Sequence, residues 1–252
     1  MSFSSDATAV VTGGNSGIGR AVAHALAREG CQVVLAARGA ERGEAVAREI
    51  EQDGGTALFV GTDVRDSSHI ERLMERAAKD GPIDYLFNNA GYEGPVAPPE
   101  HHSEDDVHQI VDTNLKGAFF CVRHAVPHME EGGHVITNAS FAGTIPFEPG
   151  VLYGATKAGL VHLTRSLAAV YEEEPYRFHA VCPYNTDAPM IDRVAEDMGA
   201  PKSRLGDMNP SGELAPPEDI AEVVTGLFAG TRDLENGGAL LIDRGPEVTS
   251  VG

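Results

Sequence analysis

The 252-residue chain has no tryptophan, only three cysteines and only four lysines. Cys31, Cys121 and Cys182 are odd in number, scattered and without metal-ligand spacing. They read as small buried residues of a reducing, cytoplasmic protein, and neither a disulfide framework nor a metal site is expected. No apolar run approaches the roughly 18 residues of a membrane span. The opening Met-Ser-Phe-Ser-Ser-Asp has neither a basic flank nor an apolar stretch, so no secretory leader is expected there. Basic residues number 19 against 38 acidic, for a formal net charge of −19. Such a surface repels nucleic acid and anionic membranes, and neither is an expected partner. A solvated acidic face is preferred here over adaptation to high salt, which the same composition also fits.

What is present is alternation. Apolar runs at 7–12, 32–37, 57–60, 83–87, 134–138, 178–181 and 239–242 read as seven buried strands. Helical patterns fall between them at about 18–29, 40–53, 67–80, 104–125, 151–173 and 217–229. This order predicts an α/β fold over 1–252: one doubly wound, Rossmann-type, seven-stranded parallel sheet with helices on both faces. The site is then expected at the carboxyl ends of the strands. The irregular stretch is 184–216, rich in Pro, Gly, Asp and Met, and a long loop in a compact domain is usually functional.

Residues 12–19, Thr-Gly-Gly-Asn-Ser-Gly-Ile-Gly, follow the apolar Ala9-Val10-Val11 and open a helical pattern. Glycines there let the backbone approach a pyrophosphate, and the helix N-terminus attracts its charge. A glycine-rich turn without a ligand is the bland alternative, disfavoured by the strand–turn–helix context. Tyr153 and Lys157 stand four apart on one helical face, with Ser140 thirteen residues upstream of Tyr153. A phenol beside an ammonium is a candidate general acid or base, and the ammonium is expected to lower its pKa. Taken alone, Tyr-x-x-x-Lys would be ordinary helix surface.

Together these blocks resemble the short-chain dehydrogenase/reductase family over nearly the whole chain. Thr12-Gly13, Gly17 and Gly19 are similar to its coenzyme motif, and Asn88-Asn89-Ala90-Gly91 to its N-N-A-G segment. Asn114, Ser140, Tyr153 and Lys157 fall in the order and spacing of its catalytic tetrad. Asp243-Arg244-Gly245 stands for its D-G-G. The resemblance implies hydride transfer between a nicotinamide coenzyme and a small carbonyl or alcohol substrate. It implies a coenzyme site that adds Asn15, Ser16, Ile18, Asn89, Ala90, Gly91, Pro183 and Thr186 to the three glycines, with Asp63-Val64 at the adenine. Lys157 would also reach the nicotinamide ribose, Asn114 would hold a water behind it, and 184–216 would be the substrate lid. A homotetramer or homodimer through 104–125 and 151–173 is implied too.

The end of the second strand chooses the nucleotide. Where NAD-using members place an acid, this chain has Ala37 followed by Arg38. An arginine pairs with a 2′-phosphate through two parallel hydrogen bonds, so NADP(H) is favoured over NAD(H). Arg42, one turn on, is either an assistant or plain surface.

The chain departs from the family at Tyr184, in place of a glycine, and Ala188, in place of a threonine, with Thr186 a substitute two positions early. Tyr184 must narrow the nicotinamide pocket or swing into the substrate space. With Tyr92, Phe141 and Phe147 it predicts an apolar, aromatic substrate pocket. His101 and His102 read as a solvated loop rather than metal ligands, and His124 and His128 as structural, with Pro127 ending the helix. Two alternatives stay open: a cofactor-independent lyase of the halohydrin dehalogenase type, and a nucleotide-binding regulator without catalysis.

Overall fold

A computed structural model describes residue 3, residues 6–245 and residues 248–251, the side chain of Pro149 excepted. Buried Thr8–Thr12 form β1, and the turn after it leads into α1 (Gly17–Arg28). β2 (Gln32–Ala37), α2 (Ala40–Gln52), β3 (Thr56–Gly61), α3 (Ser67–Ala77) and β4 (Ile83–Asn88) complete the first half. The second half runs through α4 (Glu104–Val111), a π-helical turn at Asp112–Lys116, α5 (Gly117–Ala125), β5 (Met129–Asn138), α6 (Val151–Val170) and β6 (Arg177–Pro183). It ends with α7 (Pro189–Asp197), α8 (Ser203–Gly206), α9 (Pro217–Phe228), β7 (Ala239–Ile242) and β8 (Val248–Ser250).

The sheet has the order β3-β2-β1-β4-β5-β6-β7-β8, reversing between β1 and β4. Side-chain alternation sorts the core. Ala9 and Val11 face one layer, where α1, α2 and α9 contribute Leu26, Ile50 and Leu227. Val10 faces the other, with Leu73 of α3 and Val122 of α5. Near the site, Leu160 and Val161 of α6 pack on Ala180 and Cys182 of β6.

Four expectations are corrected. The sheet has eight strands rather than seven, and the eighth is antiparallel, Leu241 pairing with Thr249. Three residues are too short a run to show a periodic signal. The fifth strand starts at Met129 rather than 134, because the polar stretch Glu130–Gly133 carries no apolar pattern, yet Met129 pairs with Ile83. The helix expected over 104–125 is interrupted by the π turn. The stretch 184–216 holds α7 and α8, with Pro189 preset at the start of α7.

One buried pair carries a prediction. His134 Nε2 lies 2.7 Å from His179 Nδ1, and His179 Nε2 lies 3.1 Å from the Leu234 carbonyl. The carbonyl only accepts, so His179 donates through Nε2, receives at Nδ1, and His134 is the donor to it. His179 is therefore neutral, and burial holds both rings below the usual histidine value, His134 well below. A group with a depressed folded value binds fewer protons folded than unfolded, so its share of stability fades as pH drops below about 6.5. Each ring contributes a slope of up to about 1.4 kcal/mol per pH unit. Urea midpoints at pH 7 and pH 5.5 should fall less in a His134→Phe/His179→Asn double variant than in the parent. Equal falls would refute the assignment.

Candidate active site

A cavity of about 440 Å³ opens at the carboxyl ends of the strands, beside the point where strand order reverses. That volume suits a small-molecule site. Its floor is tied together by Thr12, whose Oγ1 accepts from the Asn89 and Ala90 amides at 2.9 and 3.0 Å. Asn89 Nδ2 donates to the Thr12 carbonyl at 2.9 Å, so the ends of β1 and β4 form one unit.

One half of the cavity is lined by Gly13, Asn15, Ser16, Gly17 and Ile18, with Asp63, Val64, Ala90 and Gly91. Gly13 and Gly17 have φ of 66° and 50°, which other residues adopt only with strain. A Cβ at Gly17 would lie 2.9 Å from that of Ala188. Ser16, the N-cap of α1, is extended and makes no side-chain cap bond, so the first-turn amides are left for an anion. These residues fit a dinucleotide pyrophosphate. Gly19 lies beneath the turn rather than on the cavity wall, its position for a Cβ only 2.3 Å from the Gly13 carbonyl oxygen. At the far rim Arg38 and Arg42 line the cavity, and among the described residues no carboxylate pairs with either. Asp63 is gripped by Arg65 at 2.6–3.1 Å, and that bond chiefly holds its carboxyl below the usual value.

The other half holds Ser140, Phe141, Phe147, Tyr153, Lys157, Pro183, Tyr184 and Thr186. Ser140, two residues beyond β5, accepts from the Ala142 amide at 3.2 Å. Lys157, buried on α6, donates to the Asn138 carbonyl at 2.7 Å, and its Nζ stands 5.5 Å from the Tyr153 ring centre. Burial pushes Lys157 down to about 8 and Tyr153 up to about 12, although the Ser140 hydroxyl bonded to the phenol pulls the other way. The lowering expected of the tyrosine is thus corrected: desolvation of the phenolate outweighs the Ser140 hydrogen bond, and the Glu93 charge adds to the rise.

Asn114 is fully buried and does not reach the cavity wall. The π turn presents its side chain to the Tyr92 main chain, accepting from N–H at 2.7 Å and donating to C=O at 2.9 Å. Tyr92 accordingly serves through its backbone, and its ring is not among the lining side chains expected of it. Tyr184 lines the cavity. It stacks on Phe141, centres 4.8 Å apart and planes at 18°, while Phe147 meets Phe141 edge-on. Thr186 lines the cavity, but its hydroxyl is engaged with the Tyr184 carbonyl at 3.0 Å.

Among the lining residues that escaped sequence reasoning are Asn138, Glu93 and Arg193. Asn138 donates to Asn89 Oδ1 at 2.8 Å and its own Oδ1 is buried without a partner. Its position beside Ser140 was the available signal. Among the described residues, no cluster of His, Cys, Asp or Glu is placed to hold a metal. His102 instead bonds the Ala97 carbonyl, and His124 bonds Ser67 Oγ. No helix among them is long and apolar enough to cross a membrane.

The model of the short chain dehydrogenase family matches residues 7–199. The chain belongs to this family. It is 35% identical to a cis-4-hydroxycyclohexanecarboxylate dehydrogenase of Sinomonas cyclohexanicum, over 94% of this chain and 95% of that one. It is 37% identical to a 3beta-hydroxysteroid dehydrogenase of Mediterraneibacter gnavus, over 81% and 74%. A short chain dehydrogenase from Burkholderia cenocepacia, solved in complex with NADP, superimposes with a TM-score of 0.86 at 29% identity, covering 95% of this chain and 97% of that one. The chain is therefore an oxidoreductase of a nicotinamide-binding family whose dehydrogenases act on alcohol substrates.

Proposed function

We propose that this protein is an NADP(H)-dependent oxidoreductase interconverting a carbonyl compound and its secondary alcohol, with Tyr153 as the acid and base. The observation that carries this is one cavity lined at one end by the open α1 turn and Arg38, and at the other by Ser140, Tyr153 and Lys157. The coenzyme, when bound, supplies or accepts the hydride. Tyr153 donates its proton to the substrate oxygen during reduction and takes it back during oxidation. Ser140 hydrogen-bonds that same oxygen as charge develops on it. Burial pushes Tyr153 up to about 12, so its phenol holds the proton that it donates to the substrate oxygen. Asn114 acts indirectly, by holding the Tyr92 main chain and the approach to Lys157. The intact phosphate cradle speaks for this reading over the cofactor-free lyase.

We read 1–252 as one coenzyme-binding domain with 184–216 as the lid. Exposed Phe119 on α5 and Val151 and Val170 on α6 support a homodimer or homotetramer across that face. The nucleotide choice rests on Arg38 and the absence of an acid at Ala37. Titrating the protein with NADPH and NADH, following nicotinamide emission against a tryptophan-free background, tests it. NADPH should bind more tightly. Arg38→Asp should weaken NADPH about 10- to 100-fold, the value of one charge-assisted hydrogen bond at a solvent-facing rim, and leave NADH within a few-fold. Equal affinities in the parent would reject the NADP(H) preference.

A further inference from the structure

Glu93 is an acid on the wall of the cavity half that holds Ser140, Tyr153 and Lys157, among the apolar and aromatic side chains Phe141, Phe147, Tyr184, Met190 and Leu205. Its side chain is only 8% exposed. It holds Arg193 fork to fork, Oε1 on Nε and Oε2 on Nη2, the latter at 3.1 Å. The partners differ in footing. Glu93 stands on the fixed wall after β4, between Tyr92, whose main chain Asn114 clamps, and Gly94, which packs on Ile110. Arg193 stands on α7, and its side chain is 54% exposed. The negative charge is thus buried on the wall after β4, and its counter-charge is half in water. The carboxylate's field reaches Tyr153 and Tyr92 and adds to the rise in both.

A substrate carboxylate entering this cavity meets a like charge. It takes over the Nε and Nη2 donors of Arg193 only by leaving Glu93 buried and unpaired, which is strongly unfavourable. An uncharged substrate meets neither cost. It also finds spare acceptor sites on Glu93, since a carboxylate offers about four and the arginine fork occupies two.

We propose that Glu93, locked to Arg193, selects uncharged carbonyl or alcohol substrates and excludes carboxylate-bearing ones. This rests on the oxidoreductase reading above, so NADPH binding is established first, and its absence would count against that reading alone. The enzyme–NADPH complex is then offered 4-oxocyclohexanecarboxylate and its methyl ester, followed by turnover and by quenching of nicotinamide emission. The parent should favour the ester at least tenfold. Glu93→Gln, which keeps the shape and removes the charge, should shrink the ratio to below threefold. Arg193→Gln should widen it, and this second variant keeps the test open if the first misfolds. A merely structural pair would lower both ligands equally and leave the ratio unmoved. Equal or better handling of the carboxylate, an unchanged ratio in both variants, or binding of neither compound would overturn the proposal.

Discussion

Tyr153→Phe is expected to lose between about 10²- and 10⁴-fold in turnover, the range ascribed to a positioned proton donor. NADPH affinity should stay within a few-fold, because the ring that packs 5.5 Å from Lys157 Nζ remains. The substitution also removes a phenol whose proton is held firmly, up to about 12, in a desolvated site. Single-turnover rates with saturating NADPH separate the two effects. Retention of most activity would sink the assignment of Tyr153 as the acid and base, whatever the coenzyme.

Gly19→Ala should disable the coenzyme half altogether. Gly19 has helical backbone angles, so close approach rather than strain is the reason. The added Cβ would fall 2.3 Å from the Gly13 carbonyl oxygen and 2.6 Å from Asn89 Nδ2. Neither can yield alone, since Asn89 is bound to the Thr12 carbonyl and Thr12 to the Asn89 and Ala90 amides. The β1–α1 turn and the end of β4 must shift together, moving both walls around the pyrophosphate. Overpacking of this kind costs about 1–3 kcal/mol or more, and each kcal/mol lowers Tm by about 2–4 °C in a chain of this size. NADPH affinity is expected to fall at least tenfold as well. Gly61→Ala is the control, because nothing lies within 4 Å of its added Cβ. A Gly19→Ala protein with the parent's melting temperature and affinity would show that the turn is not the rigid cradle described.

The sequence by itself determined the alternating β/α order, the parallel sheet and the site at its carboxyl edge. It also located the turn at Gly13–Gly19, Ser140, Tyr153, Lys157 and Arg38. Each of these is written in a dozen or so neighbouring residues, as a period of 2 or 3.6, a glycine spacing, or a four-residue interval on one helix face. The tertiary structure decided the rest. It turned 112–116 into a π turn, so that Asn114 faces the Tyr92 main chain instead of the cavity. It laid Tyr184 flat on Phe141, across 43 residues of chain that no local pattern connects. It reversed the sign of the shift at Tyr153, because spacing reveals the neighbouring ammonium but not the loss of water. It joined Glu93 to Arg193, 100 positions away. Burial and pairing between distant segments depend on how layers pack, and packing is a property of the whole chain.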